Sequence, residues 1–194
     1  LGGVTNTLNL GWTDGDPDGV LVPVKGSIKP VPWDERFLQV LITMRKEQEK
    51  WGVIKDPSDV DPRNILKKVM THFKNLKLKP VVAFELEFYL LDKNRDKHGK
   101  PVPAGGANKT HVYGIPDLDL FGRLFDDINK NCKMQNIPAT TASSEFAAGQ
   151  YEINLKHTDD LLKAADDAAM LRRIFKEASE SHGYEATVMA TPVL

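Results

Sequence analysis

Apolar positions along this chain switch several times between a period of two and a period near 3.6, the signatures of strands and helices. Residues 20–24 and 37–44 read as β runs, set off by Gly/Pro-rich loops at 14–19 and 25–33. They predict a small N-terminal β module. From Asp61 the period lengthens. Ile65, Leu66, Val69, Met70, Phe73 and Leu76 recur at helical spacing behind Asp61 as N-cap and Pro62 in the first turn, and the helix should end near Asn75. Pro80 opens a β run through Leu91, and a Gly/Pro/Lys-rich loop over 97–106 leads to a second helix. That helix is expected to be capped by Asp117, with Leu120, Phe121, Leu124, Phe125 and Ile128 inward. Strands over 137–141 and 150–156 follow. Thr158 should cap a long helix with the stripe Leu161, Leu162, Ala165, Ala169, Arg172 and Phe175, ended by Gly183 in a left-handed conformation. Residues 185–189 make the last strand. This order predicts an α+β fold, with a sheet carrying chemistry on one face and helices on the other.

Composition narrows the function. The 194 residues suffice for one core with an appendage or for two small domains, and 26 basic against 27 acidic residues argue against nucleic acid as a partner. No apolar run approaches the ~20 residues of a membrane span, and the start lacks a signal-peptide pattern, so a cytoplasmic location is expected. Cys132 is the only cysteine, which excludes an internal disulfide and a thiolate zinc site and predicts a buried, inert thiol. Leu1 in place of methionine, and an end directly after an apolar run, predict a piece of a longer protein.

The candidate chemistry lies in two acidic segments. In Phe84-Glu85-Leu86-Glu87-Phe88, strand alternation sends the apolar side chains to one face and both carboxylates to the other. Two glutamates ~6.7 Å apart along a strand repel by about 0.6 kcal/mol in bulk water and about 2.5 kcal/mol at an effective dielectric of 20. Partial burial would therefore call for a cation. Taken alone, the pair also fits two solvated side chains on a sheet surface. In the segment 145–155, Tyr151, Ile153 and Leu155 point inward while Gln150, Glu152 and Asn154 share the opposite face. Glu145 precedes an Ala-Ala-Gly turn that can fold its carboxylate back toward Glu152. Three or four carboxylates without a nearby Lys or Arg suit Mg²⁺ or Mn²⁺, which take hard oxygen ligands, better than zinc. No phosphate-binding glycine loop, dinucleotide fingerprint, kinase set or matched nucleophile–histidine pair occurs, and the five histidines lie in polar or helix-end contexts.

With these residues in order, the sequence resembles the glutamine synthetase family. The match runs through Phe84-Glu85-Leu86-Glu87-Phe88, Glu145 to Glu152 as Glu-x-x-x-Gly-Gln-x-Glu, Lys163-Ala164-Ala165-Asp166, and the segment 183–189 followed by Pro192. The segments 16–23 and 31–33 resemble the end of the family's N-terminal β-grasp domain, so residues 1–50 are expected to close that domain and 51–194 to begin the catalytic domain. The Gln-Tyr-Glu-Ile-Asn-Leu wording at 150–155 is most similar to the γ-glutamyl-polyamine (γ-glutamylputrescine) synthetase branch.

The resemblance implies a mostly antiparallel sheet backed by helices. It also implies a reaction in which ATP phosphorylates the γ-carboxylate of glutamate, and ammonia, an amine or a polyamine then displaces the phosphate to form an amide. Two divalent metals, Mg²⁺ or Mn²⁺, serve that chemistry. Carried over position by position, Glu87, Glu145 and Glu152 would hold the metal nearer glutamate and Glu85 the one nearer the ATP phosphates. A ring of subunits is implied for the parent protein. The family's Gly-Ser-Gly-Met-His segment, phosphate-binding arginines and a further metal-binding glutamate lie after the stretch that this chain matches. Thr191 stands where the family often has lysine in its Met-x-Lys-Pro run. The second reading is a family relative serving as a structural or metal-binding protein without ligase activity.

Overall fold

The computed structural model describes residues 20–45, 61–106 and 112–192, which fall into two compact units divided between Pro80 and Val81. The loop expected at 14–19, the domain boundary expected near residue 50, and His111 lie outside the described residues.

In the first unit, β1 (Val20–Pro23) pairs antiparallel with β4 (Ile42–Arg45), and β2 (Lys29–Val31) forms a hairpin with β3 (Asp34–Gln39). The stretch 25–33, expected as a loop, thus contains a strand, which at three residues is too short to show a period. The run expected over 37–44 is divided between β3 and β4.

Helix α1 (Pro62–Asn75) has the predicted limits. Its cap does more than end a helix. One Asp61 oxygen accepts from the backbone N–H groups of Arg63 (2.8 Å) and Asn64 (3.1 Å), and the other from Met44 N–H (2.7 Å) and the Thr43 hydroxyl (3.0 Å). A single carboxylate so ties α1 to β4. Burial opposes its charge, but these four donors outweigh burial and hold the Asp61 carboxyl below its ordinary range. A depressed carboxylate stabilises the fold above the unfolded-state value and loses that contribution as pH falls through the folded one. Asp61→Ala is therefore expected to cost about 1–3 kcal/mol at neutral pH and little under strongly acidic conditions, read by urea unfolding at both. The apolar residues that recur at helical spacing on α1 are not buried: Leu66, Met70 and Phe73 are half-covered, and Ile65, Val69 and Leu76 are exposed.

The second unit is an antiparallel sheet in the order β6-β7-β5-β8, formed by β6 (Ala139–Ser144), β7 (Gln150–Leu155), β5 (Glu85–Asp92) and β8 (Tyr184–Thr187). The β run expected from Pro80 begins at Glu85; before it, Val82 makes only a two-bond bridge with Thr158. Helices α2 (Ile115–Leu120), α3 (Gly122–Met134) and α4 (Leu161–Ser181) complete the unit.

The core forms where even-numbered residues of β5 meet odd-numbered ones of β7. Phe88 stacks on Phe175 of α4 at 4.4 Å between centroids, and Tyr151 takes the edges of Phe121 and Phe125 at 5.7 and 5.3 Å. The Tyr151 hydroxyl donates to Asp117 O (3.3 Å), and burial, with Asp117 nearby, pushes its pKa well up. Leu124, Leu171 and Ile174 are fully enclosed beside them. Cys132 is buried as expected, and burial, with Asp167 second, raises its thiol to about 12, so it stays protonated and inert.

Three helix expectations change. Asp117 is not a cap: Gly114 holds that position, Pro116 occupies the first turn, and the helix breaks at Phe121 before restarting as α3. Asp160, not Thr158, caps α4, accepting from Lys163 N–H at 3.0 Å, while the Thr158 hydroxyl accepts from Asp160 N–H. The buried stripe of α4 is Leu161, Ala164, Asp167, Leu171, Ile174, Phe175, Ala178 and Ser179, rotated from the one expected. Asp167 can lie inward because Lys163, one turn earlier, reaches it at 2.5 Å. Gly183 does adopt the left-handed conformation, at φ 84°.

Candidate metal centre

Strand register brings the acidic segments together. In the β5–β7 pair Glu87 lies directly opposite Glu152 and Glu85 opposite Asn154, and in the β6–β7 pair Ser143 lies opposite Glu152. Directly opposed residues on one face hold their Cβ atoms about 5 Å apart, so register alone makes neighbours of two like charges.

Glu145 arrives by the turn joining β6 to β7. Glu145 N–H donates to Gln150 O (2.8 Å) and Gln150 N–H to Ala147 O (3.0 Å), which closes the loop. Gly149 completes it at φ 73°, where an added Cβ would come within 2.9 Å of Leu90 O and 3.0 Å of Pro103 Cβ. Glycine is required there by both conformation and space.

One carboxylate oxygen from each of Glu87, Glu145 and Glu152 lies within 4.8 Å of the other two. Glu87 is exposed; Glu145 and Glu152 are half-buried. Glu85, the fourth candidate, stands on the same face outside this group, near enough for its charge to act on Glu152. Each of the three carboxylates receives a hydrogen bond from a neutral side chain: Gln150 Nε2 to Glu87 (2.7 Å), the Ser143 hydroxyl to Glu145 (3.1 Å) and Asn154 Nδ2 to Glu152 (2.8 Å). Among the described residues no Lys or Arg pairs with any of the four glutamates. Burial is the main influence raising the Glu152 carboxyl above its ordinary value; the Asn154 bond opposes it, and the charges of Glu145, Glu85 and Glu87 add to it.

The donor set fits a hard divalent cation. All its donors are carboxylate oxygens, and uncompensated negative charge has gathered where a cation would remove the repulsion. Ligands of an octahedral ion at about 2.1 Å lie roughly 3.0–4.2 Å apart, a small side-chain adjustment from the spacing found here. Among the described residues no histidine joins the group; His182, at the end of α4, pairs with Asp127 of α3 at 2.7 Å. Sequence reading overlooked the three neutral donors. Alternation had put Gln150 and Asn154 on the correct face, but Ser143 lay past the expected end of its strand.

Comparison with known proteins agrees with these motifs. Residues 59–194 match the family model described as glutamine synthetase, catalytic domain. Over 99% of its length the chain is 41% identical to the γ-glutamylputrescine synthetase PuuA of Escherichia coli K12, covering 41% of that protein. Over 94% it is 34% identical to the glutamate–isopropylamine ligase of a Pseudomonas species, covering 39% of it. The glutamine synthetase of Pyrococcus horikoshii is 28% identical over 92% of the chain, which covers 37% of that enzyme. The chain thus spans about two fifths of the length of these relatives. In fold, the glutamine synthetase of Plasmodium falciparum superposes with a TM-score of 0.73 at 20% identity, over 98% of this chain and 41% of that one. Among the described residues no helix is long and apolar enough to cross a membrane. Ordered acidic motifs, an antiparallel sheet that gathers their carboxylates, and a family match over most of the chain together establish that it belongs to the glutamine synthetase catalytic-domain family.

Proposed function

We propose that the protein containing this chain is an ATP-dependent ligase that joins the γ-carboxylate of glutamate to an amine through γ-glutamyl phosphate. The observation that carries this reading is the convergence of Glu87, Glu145 and Glu152 with no counter-charge among the described residues, in a chain of this family. Glu87, Glu145 and Glu152 would hold the Mg²⁺ or Mn²⁺ nearer glutamate, and Glu85, standing apart, the one nearer the ATP phosphates. Bound there, the metals would supply charge neutralisation for the transferring phosphoryl group. The protein's own part is to keep four carboxylates on one open sheet face while β5 and β7 bury their other faces in the core. Residues 20–45 are read as the end of the N-terminal β-grasp domain, and the whole protein as a ring-forming oligomer.

The acceptor is inferred to be an alkylamine or polyamine before ammonia. The supporting contrast is 41% and 34% identity to relatives named for putrescine and isopropylamine against 28% to a named glutamine synthetase. An assay of the full-length protein with ATP, glutamate, Mg²⁺ and a panel of ammonia, isopropylamine, putrescine and longer polyamines tests both claims. Phosphate release is expected with an alkylamine or polyamine at least tenfold above that with ammonia. Release with ammonia alone would overturn the acceptor, and metal binding with no release at all would favour the non-catalytic alternative.

A further inference from the structure

We infer that Gln150 is a positioning residue that presets Glu87 for the cation while leaving the charge of the carboxylate cluster intact; this rests on the metal reading above. The inference starts from the two ends of one amide. Gln150 Oε1 accepts from Ala147 N–H at 3.0 Å, and Nε2 donates to Glu87 Oε2 at 2.7 Å. The backbone N–H can only donate, so the oxygen must face Ala147 and the NH₂ must face Glu87. The side chain cannot be flipped without losing both bonds.

Gln150 is thereby fastened at three points to the turn that carries Glu145, through its backbone N–H, its backbone O and its side-chain oxygen. Its remaining end reaches across to β5. One residue so couples the position of the turn to that of an otherwise exposed carboxylate on another strand. An exposed glutamate sampling several rotamers must lose that freedom when it binds an ion, and a fixed donor removes part of the cost beforehand.

The neutrality of the donor matters as much as its reach. A lysine at this place would orient Glu87 equally well but would occupy the cluster as its counter-ion and compete with a divalent cation. Gln150, Ser143 and Asn154 each hold one carboxylate without cancelling its charge. Support of this kind is worth roughly 10–100-fold in metal affinity where it has been removed.

The test measures Mn²⁺ binding to the chain by electron paramagnetic resonance, alongside thermal melting in EDTA, for Gln150→Ala, the volume-preserving Gln150→Met, Gln150→Lys and Glu87→Gln. Gln150→Ala and Gln150→Met are expected to weaken Mn²⁺ at least tenfold while metal-free melting moves little, and Gln150→Lys to abolish binding with the fold retained. An affinity within threefold of the parent in both neutral variants would overturn the inference, as would a loss that merely follows metal-free unfolding. Glu87→Gln separates the two levels of claim. If it leaves Mn²⁺ affinity unchanged, the metal reading falls and this inference with it; if it abolishes binding while Gln150→Ala and Gln150→Met do nothing, only the inference about Gln150 falls.

Discussion

Glu152→Gln is expected to abolish divalent-cation binding and, at the same time, to stabilise the metal-free chain. Outer supports of metal ligands are worth ~10–100-fold in affinity, so loss of a ligand itself should cost at least about 100-fold. The opposite sign for stability follows from the register. Glu152 faces Glu87 across β5–β7, and their nearest candidate ligand oxygens lie within 4.8 Å. Like charges at that distance repel by about 0.9 kcal/mol in bulk water and about 3.5 kcal/mol at an effective dielectric of 20. Glu152 is half-buried, so screening keeps the net effect toward the lower figure, on the order of 1 kcal/mol. Glutamine can keep one oxygen to accept from Asn154 while it removes the charge and replaces the other oxygen by NH₂.

The pH dependence has a definite direction. Burial and the neighbouring glutamates raise the folded-state pKa of Glu152, so the folded chain holds that proton more tightly than the unfolded one. Its contribution to metal-free stability is present below the ordinary carboxylate value and is lost as pH rises through the raised one. In Glu152→Gln this loss should vanish. Urea unfolding in EDTA across the acidic range, with Mn²⁺ titration beside it, checks both signs. A variant that binds Mn²⁺ normally, or is less stable without metal, contradicts the assignment of Glu152.

Gly149→Ala should cost about 2–4 kcal/mol. The left-handed conformation at φ 73° accounts for roughly 1–2 kcal/mol with any Cβ, and contacts of 2.9 Å to Leu90 O and 3.0 Å to Pro103 Cβ add the rest. Neither neighbour can easily give way, since one is a backbone carbonyl of the central strand and the other a proline paired beside it. Gly149 O also accepts from Leu90 N–H at 2.8 Å, so displacing the glycine loosens β5 itself. The site should suffer with the fold, because this turn brings Glu145 back to Glu152. Gly149→Asn separates the two causes: asparagine tolerates the backbone conformation but carries the same Cβ. Stability near that of the parent would leave conformation alone as the reason for glycine, whereas a loss close to that of alanine shows the close approach to be decisive. Thermal melts of the three chains in EDTA measure this, with Mn²⁺ affinity as the second readout.

How much of this was legible beforehand varied with the kind of signal. The limits of α1 were readable because Asp61 and Pro62 act locally, and the left-handed turn at Gly183 for the same reason. The inner face of α4 was not. Its alanines are compatible with several stripes, and an aspartate such as Asp167 can face inward only because Lys163 pairs with it. The exposure of α1 was not legible either, because a period shows which face is apolar and says nothing of what covers it.

For the candidate site the division is sharper. By itself the sequence determined the residue types and their faces: a period of two puts Glu85 and Glu87 on one side of β5 and Glu152 with Gln150 and Asn154 on one side of β7. The tertiary structure alone decided that Glu87 is the register partner of Glu152; the grouping of Glu145 with them and of Glu85 apart, which only the family resemblance implied, takes its geometry from the fold. The tertiary structure also decided that three neutral donors and, among the described residues, no lysine or arginine hold the cluster. Alternation along a strand assigns a face, but which residue lies opposite which depends on how strands distant in the chain come into register, and that is set by turns and by the core they bury.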